Sequence, residues 1–157
     1  MARFREIIYL SYSQFCVFLS SLDQPYNDWS VRGYAQGFAW RLGSVSFRAL
    51  VDEGYHIISL FINEQVPAIS ADVVRAFKVP FPVIDRNIEV GSISSTVPLE
   101  LPEGDYSLQV AFIRPSSSGV YEINVHLNLG GCDFEVLRAD AEIDEQGEFD
   151  IDAVPAK

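Results

Sequence analysis

Apolar and polar residues alternate with a period of two along most of this chain, the spacing of strands whose side chains point to opposite faces of a sheet. Tyr12, Gln14, Cys16 and Phe18 interleave with Ser13, Phe15, Val17 and Leu19, so both faces are substantially apolar and the pattern predicts a strand buried on two sides. Residues 44–51 and 55–62 predict two further strands, and the intervening Asp52-Glu53-Gly54 predicts that they form a hairpin. Phe77, Val79, Phe81 and Val83 keep strict alternation, while Pro80 and Pro82 remove backbone donors on the other parity and predict an edge strand. Short strands are expected over 88–93 and 97–101, followed by the turn Leu101-Pro102-Glu103-Gly104-Asp105 and a strand over 106–113. Residues 120–129 set Tyr121, Ile123, Val125 and Leu127 against Glu122, Asn124, His126 and Asn128, a strand with one buried face.

Only residues 30–42 depart from this pattern. There Ser30 is placed to cap a short helix with Val31, Tyr34, Ala35 and Phe38 on one face, although Gly33 and Gly37 weaken it. About ten short strands at turn spacings of roughly eight to twelve residues predict an all-β fold, a β-sandwich or open barrel, with one short helix near residues 30–40. The length of 157 residues, with no repeat or linker, predicts a single β-sandwich-like domain spanning residues 1–157.

The C-terminal stretch 137–154 has the most distinctive pattern. Ala139, Ala141, Ile143, Phe149, Ile151 and Ala153 are apolar at odd positions, while Asp140, Glu142, Asp144, Glu148, Asp150 and Asp152 are acidic at even ones. With Glu145-Gln146-Gly147 as a three-residue loop, this reads as an acidic hairpin in which Asp144 faces Glu148, Glu142 faces Asp150 and Asp140 faces Asp152. Like charges about 5 Å apart destabilise a hairpin, so folding alone does not account for them. The ribbon would carry roughly one charge per 3.3 Å, close to the 3.4 Å of a single DNA strand, and so predicts a phosphate-mimicking strip. A solvated outer face, or a frayed acidic tail, is the plainer reading of the same residues.

Composition sharpens this picture. The net charge is −11, from 22 acids and 11 bases, and residues 1–78 are balanced with seven of each. The excess lies wholly in residues 79–157, which hold fifteen acids and four bases. Such a chain repels nucleic acid and anionic membranes, so the expected partner is cationic, a protein or a metal ion. Ile7 to Leu10 is too short an apolar run for a signal segment or membrane span, and a cytoplasmic location is expected. Cys16 and Cys132 lie among apolar neighbours and suit reduced core thiols, with a single bridge as the alternative.

No catalytic residue, metal ligand set or cofactor motif stands out. His56 and His126 lack partners at metal-ligand spacing, and no nucleophile elbow, phosphate loop or dinucleotide fingerprint is present. Binding is therefore expected in place of catalysis. The candidate partner-binding residues are Asp140, Glu142, Asp144, Glu145, Glu148, Asp150 and Asp152, with Trp29 as an aromatic anchor. A calcium site within 140–152, or an immunity-type module whose contact is aromatic through Trp29, Tyr34, Phe38 and Trp40, are the alternatives.

Five blocks in series carry a family resemblance: Leu10-Ser11-Tyr12-Ser13-Gln14-Phe15-Cys16-Val17-Phe18, Asp28-Trp29, Gly33-Tyr34-Ala35 leading to Val45-Ser46-Phe47, Val79-Pro80-Phe81-Pro82-Val83, and Leu99 through Pro102-Glu103-Gly104-Asp105 to Leu108. Together they resemble the competence protein J family, inhibitors of the competence-associated DNA-entry nuclease. The resemblance implies a small acidic cytoplasmic protein that binds and silences a sequence-nonspecific nuclease and carries no cofactor. The chain departs from the family pattern in a longer region after Ser107, where the acidic stretch lies.

Overall fold

The computed structural model describes residues 2–157. They form eleven strands and one helix: β1 Ala2–Leu10, β2 Gln14–Leu19, α1 Val31–Gln36, β3 Phe38–Arg41, β4 Ser44–Arg48, β5 Gly54–Ile62, β6 Val73–Val83, β7 Asn87–Ser92, β8 Ser95–Glu100, β9 Gly104–Ile113, β10 Tyr121–Leu129 and β11 Glu135–Arg138. A six-stranded sheet runs β1-β5-β10-β9-β6-β11 and a five-stranded sheet runs β3-β4-β2-β7-β8, so neither closes on itself. Pairing is antiparallel except between β5 and β10. This is an all-β sandwich, the first of the two architectures, sandwich or open barrel, that the alternation predicts.

The core lies between the two sheets. Alternate residues Ile58 and Leu60 of β5, Ile123 and Val125 of β10, Leu108 and Val110 of β9 and Phe77 and Val79 of β6 turn inward against Phe15 and Val17 of β2, Phe47 of β4 and Val90 of β7. Every residue of β2 is buried, in line with its two apolar faces. That strand starts two residues later than its pattern suggests, because Tyr12 and Ser13 both adopt positive φ in a tight turn.

Three expectations about the sheets and the helix are corrected. Residues 44–51 and 55–62 do not form a hairpin: β4 is flanked by β2 and β3 in one sheet, while β5 pairs with β1 and β10 in the other. The Asp52-Glu53-Gly54 turn is thus a corner between layers. β6 is not a full edge strand, since β11 pairs with its residues 76–78. Pro80 and Pro82 lie beyond that pairing, and the Trp40 indole Nε1 donates to the Pro80 carbonyl at 2.8 Å. In α1 the expected apolar stripe splits: Val31 is 91% and Tyr34 55% exposed and Ala35 is half-buried, while Phe38 lies past the helix end in β3 and is fully buried, and Gly33 and Gln36 are the helix's buried positions. Ser30 does cap the helix, its Oγ accepting from Gly33 N at 2.9 Å.

The acidic hairpin is the largest correction. β11 stops at Arg138, and residues 139–154 contain no strand. Asp140, Glu142, Asp144, Glu145, Glu148, Asp150 and Asp152 lie instead on an irregular strap, and the like-charge pairs of the expected register do not form. The reason is competition: arginines from distant segments take three of the carboxylates, and Ile143 is drawn into the core. Gly37 makes room for it at φ 95°, where a Cβ would lie 2.6 Å from the Phe77 ring and 2.8 Å from Ile143.

Candidate functional site

The strap is laced to α1 and β3 by main-chain and amide contacts. The Gln36 side chain donates to the Asp150 carbonyl at 2.8 Å and accepts from Asp150 N at 2.9 Å. Asp144 N donates to the Ala35 carbonyl at 2.8 Å and Ala153 N to the Trp40 carbonyl at 3.0 Å. Phe149 packs on Phe38 with ring centroids 5.4 Å apart. These contacts satisfy backbone groups that a hairpin ladder would otherwise have paired.

Three guanidiniums lie beneath it. Arg75, 1% exposed near the start of β6, donates to Asp140 at 2.7 Å and lies 3.5 Å from Glu142, while its other terminal nitrogen donates to the Arg48 and Ala49 carbonyls. Arg48 stands 3.8 Å over the Tyr34 ring and reaches Glu142 at 3.5 Å. Arg32 approaches Asp144 at 3.5 Å and donates to the Glu148 carbonyl at 2.9 Å. Asp140, Glu142 and Asp144 therefore fasten the strap, a structural duty that the sequence pattern alone did not reveal.

The other four acids differ. Glu145, Glu148 and Asp152 are exposed, and among the described residues none forms an ion pair. Asp150 accepts from Ser30 Oγ at 2.5 Å and from Asp152 N at 2.9 Å, and these two hydrogen bonds hold its carboxyl below the usual range against the opposing effect of burial. The strap's seven carboxylates outnumber the three guanidiniums that meet it by four.

Trp29 belongs to the same face. Its ring stands edge-on to Tyr34 at 6.3 Å, and its neighbour Ser30 holds Asp150. The half-buried Trp29 and the exposed Tyr34 and Val31 thus lie beside the acidic strap. Aromatic rings rimmed by uncompensated charge are the composition of a protein-docking surface. Of the other two aromatic candidates, Phe38 is fully buried in the core and Trp40 packs edge-on against Phe134 at 5.0 Å.

The remaining candidate chemistry sits elsewhere. Among the described residues, no three His, Cys, Asp or Glu side chains gather in a way that could hold a metal ion, so the calcium alternative gains no support from the strap. Cys16 and Cys132 are unbridged, and burial pushes the Cys16 thiol up to about 12. His56 stacks on Tyr121 and His126 on Phe61, each alone on its strand. The strap's arginines were the residues missed by sequence reasoning. Arg75 did offer one signal: it shares the odd, inward-facing parity of Phe77, Val79, Phe81 and Val83, and a charge at such a position needs a buried acid from somewhere.

Comparison with known proteins settles the family. A family model described as Competence protein J (ComJ) matches residues 8–129. The chain belongs to the competence protein J family. A Bacillus subtilis (strain 168) protein, "DNA-entry nuclease inhibitor", is 33% identical over 101 residues, covering 63% of this chain and 74% of that relative. The crystal structure of ComJ, inhibitor of the DNA degrading activity of NucA, from Bacillus subtilis, superposes with a TM-score of 0.65 at 26% identity, covering 80% of this chain and 95% of that one. The structure named Crocagin biosynthetic gene J shares the fold, with a TM-score of 0.55 at 14% identity over 82% of this chain and 99% of its own. α1 and Trp29 fall within the residues matched to the family, whereas β11 and the strap lie after them.

Proposed function

We propose that this chain is an inhibitory binding protein for a sequence-nonspecific, DNA-entry-type nuclease, and that its acidic face occupies the basic DNA cleft of that enzyme. Membership of the competence protein J family and the names carried by the Bacillus subtilis relatives support the choice of target. The observation that carries the mechanism is the grouping of Glu145, Glu148, Asp150 and Asp152, none of them ion-paired among the described residues, next to Trp29 and Tyr34. A nuclease cleft built for phosphates is cationic, and an anionic face of this kind is steered toward it and excludes DNA by occupying the same charges. The chain acts by stoichiometric binding, without catalysis and without a cofactor.

Purified chain, mixed with the DNA-entry-type nuclease of its own source organism, should suppress DNA cleavage stoichiometrically at low ionic strength. Rising salt should slow association, because exposed charges are screened within about 10 Å at 0.1 M. A well-folded chain that neither binds nor inhibits the nuclease at low salt contradicts the reading.

A further inference from the structure

The turn joining β1 to β2 adopts a conformation that its own residues disfavour. Gln14 N donates to the Ser11 carbonyl at 3.3 Å, and the two residues between them, Tyr12 and Ser13, have φ of 56° and 58°. Positive φ at both central positions belongs to the type I′ turn, whose preferred sequence is Asn-Gly; tyrosine there is strained. Packing offers no return for this residue, since Tyr12 is 74% exposed.

Beside Tyr12 opens a depression of about 650 Å³ lined by Tyr9, Ser13, Asp52 and Glu53, with no lysine or arginine in its wall. Its two carboxylates meet hydroxyls in place of cations: the Tyr9 phenol donates to Glu53, and Ser13 Oγ donates to Asp52 at 2.7 Å. Neither acid forms an ion pair among the described residues. Tyr55, 71% exposed, stands edge-on to Tyr9 at 5.1 Å and extends the aromatic surface. Two uncompensated carboxylates and a set of open tyrosine faces match one kind of group, a planar cation.

The depression is linked to the strap through the interior. Ser13 N donates to the Asp52 carbonyl and Ala49 N to the Ser13 carbonyl, both at 2.8 Å. The Arg48 and Ala49 carbonyls accept from Arg75, whose other terminal nitrogen holds Asp140 of the strap. A relay of hydrogen bonds through Ser13, Ala49 and the buried Arg75 therefore links the turn beside the depression to Asp140 of the strap. All the lining residues lie within the span matched to the family, which the strap does not.

We propose that this depression receives an arginine side chain of the same nuclease, its guanidinium set against the Asp52 and Glu53 carboxylates with Tyr12 across its face. This rests on the inhibitor reading above and adds a second contact to it. Arginine fits better than lysine because a flat, forked cation both stacks on a ring and bridges two carboxylates.

The test is calorimetric titration of the full chain with the purified nuclease at low salt. Glu53→Gln keeps an acceptor for the Tyr9 phenol and should weaken binding roughly tenfold. Tyr12→Asn suits the left-handed turn, so it should raise the melting temperature while weakening binding by a similar factor, two effects that a purely structural tyrosine would not combine. Glu100→Gln, at the far end of β8, should leave affinity unchanged. Double-mutant cycles against the arginines of the nuclease cleft should find one coupled to Glu53, with the coupling lost when that arginine is replaced by lysine. The proposal is overturned if Tyr12→Asn and Glu53→Gln bind within about twofold of the parent while loss of Glu145, Glu148 and Asp152 abolishes binding, a result that spares the inhibitor reading. Failure of the parent chain to bind the nuclease at all overturns both.

Discussion

Arg75 and Asp140 meet at 2.7 Å across the boundary between core and strap, the arginine 1% exposed and the carboxylate on an irregular segment at the surface. A buried guanidinium needs a compensating charge, and removing the partner of such a pair costs several kcal/mol because the remaining ion has lost its solvent. Asp140 thus pins the strap to the sandwich.

Replacing Asp140 by Asn should lower unfolding free energy by about 2–3 kcal/mol, somewhat less than for a fully buried pair because Glu142 still lies 3.5 Å from Arg75. Urea denaturation measures this. A loss below about 0.5 kcal/mol would show that Arg75 is satisfied without the strap.

Gly37 permits the close packing under the strap. Gly37→Ala should destabilise the fold by about 2 kcal/mol or more, since it combines a positive φ of 95° with a Cβ driven into Phe77 and Ile143. Thermal unfolding reads the change. Protease sensitivity of residues 139–154 should rise with it, because Ile143 is the strap's one deeply buried side chain.

Acid should lower the stability of the protein in two pH windows, and the signs follow from two kinds of shift. Burial pushes the pKa of both His56 and His126 down, partly offset by the Gly54 carbonyl and by Glu64 respectively, so the unfolded chain protonates first. Stability from the neutral rings is complete above about pH 6.5 and is lost as pH falls toward their folded values. Asp150 is also held low, by Ser30 and Asp152 N, so its contribution is complete above about pH 4 and disappears as pH falls through its folded pKa. A urea midpoint followed from pH 8 to 3 should decline in both windows. Replacing both histidines by glutamine should flatten only the upper one.

The strands with strict alternation were readable because each buries one face and the period survives in the residues themselves, as in β9, β10 and β6. β1 was not, since its outward positions Arg3, Arg5, Ile7 and Tyr9 mix charge with large apolar groups and the run looks irregular. The strap misled for the opposite reason. Its alternation is regular, but Arg32, Arg48 and Arg75 arrive from segments far away in sequence, and no local pattern shows that they will outcompete a ladder. Ser30 and Gln36 bring Asp150 of the strap beside Trp29 and α1, a link between distant segments that no local pattern shows.

The division among the acids changes what mutation should do. Glu142→Gln and Asp144→Asn remove partners of Arg48 and Arg32 and should reduce stability modestly, by about 0.5–1 kcal/mol each for such exposed carboxylates. Among the described residues Glu145, Glu148 and Asp152 have no such partners, and their amides should be tolerated within about 0.5 kcal/mol. Denaturant midpoints of the two sets separate the fastening carboxylates from those proposed to dock.

The most direct measurement is the association rate of the Glu145→Gln, Glu148→Gln, Asp152→Asn triple variant with the nuclease, by stopped flow at low and at moderate ionic strength. Docking through the acidic face predicts an unfolding midpoint equal to that of the parent, slower association at low salt and a flatter dependence on salt. Association as fast and as salt-sensitive as the parent's, with the fold intact, would contradict it.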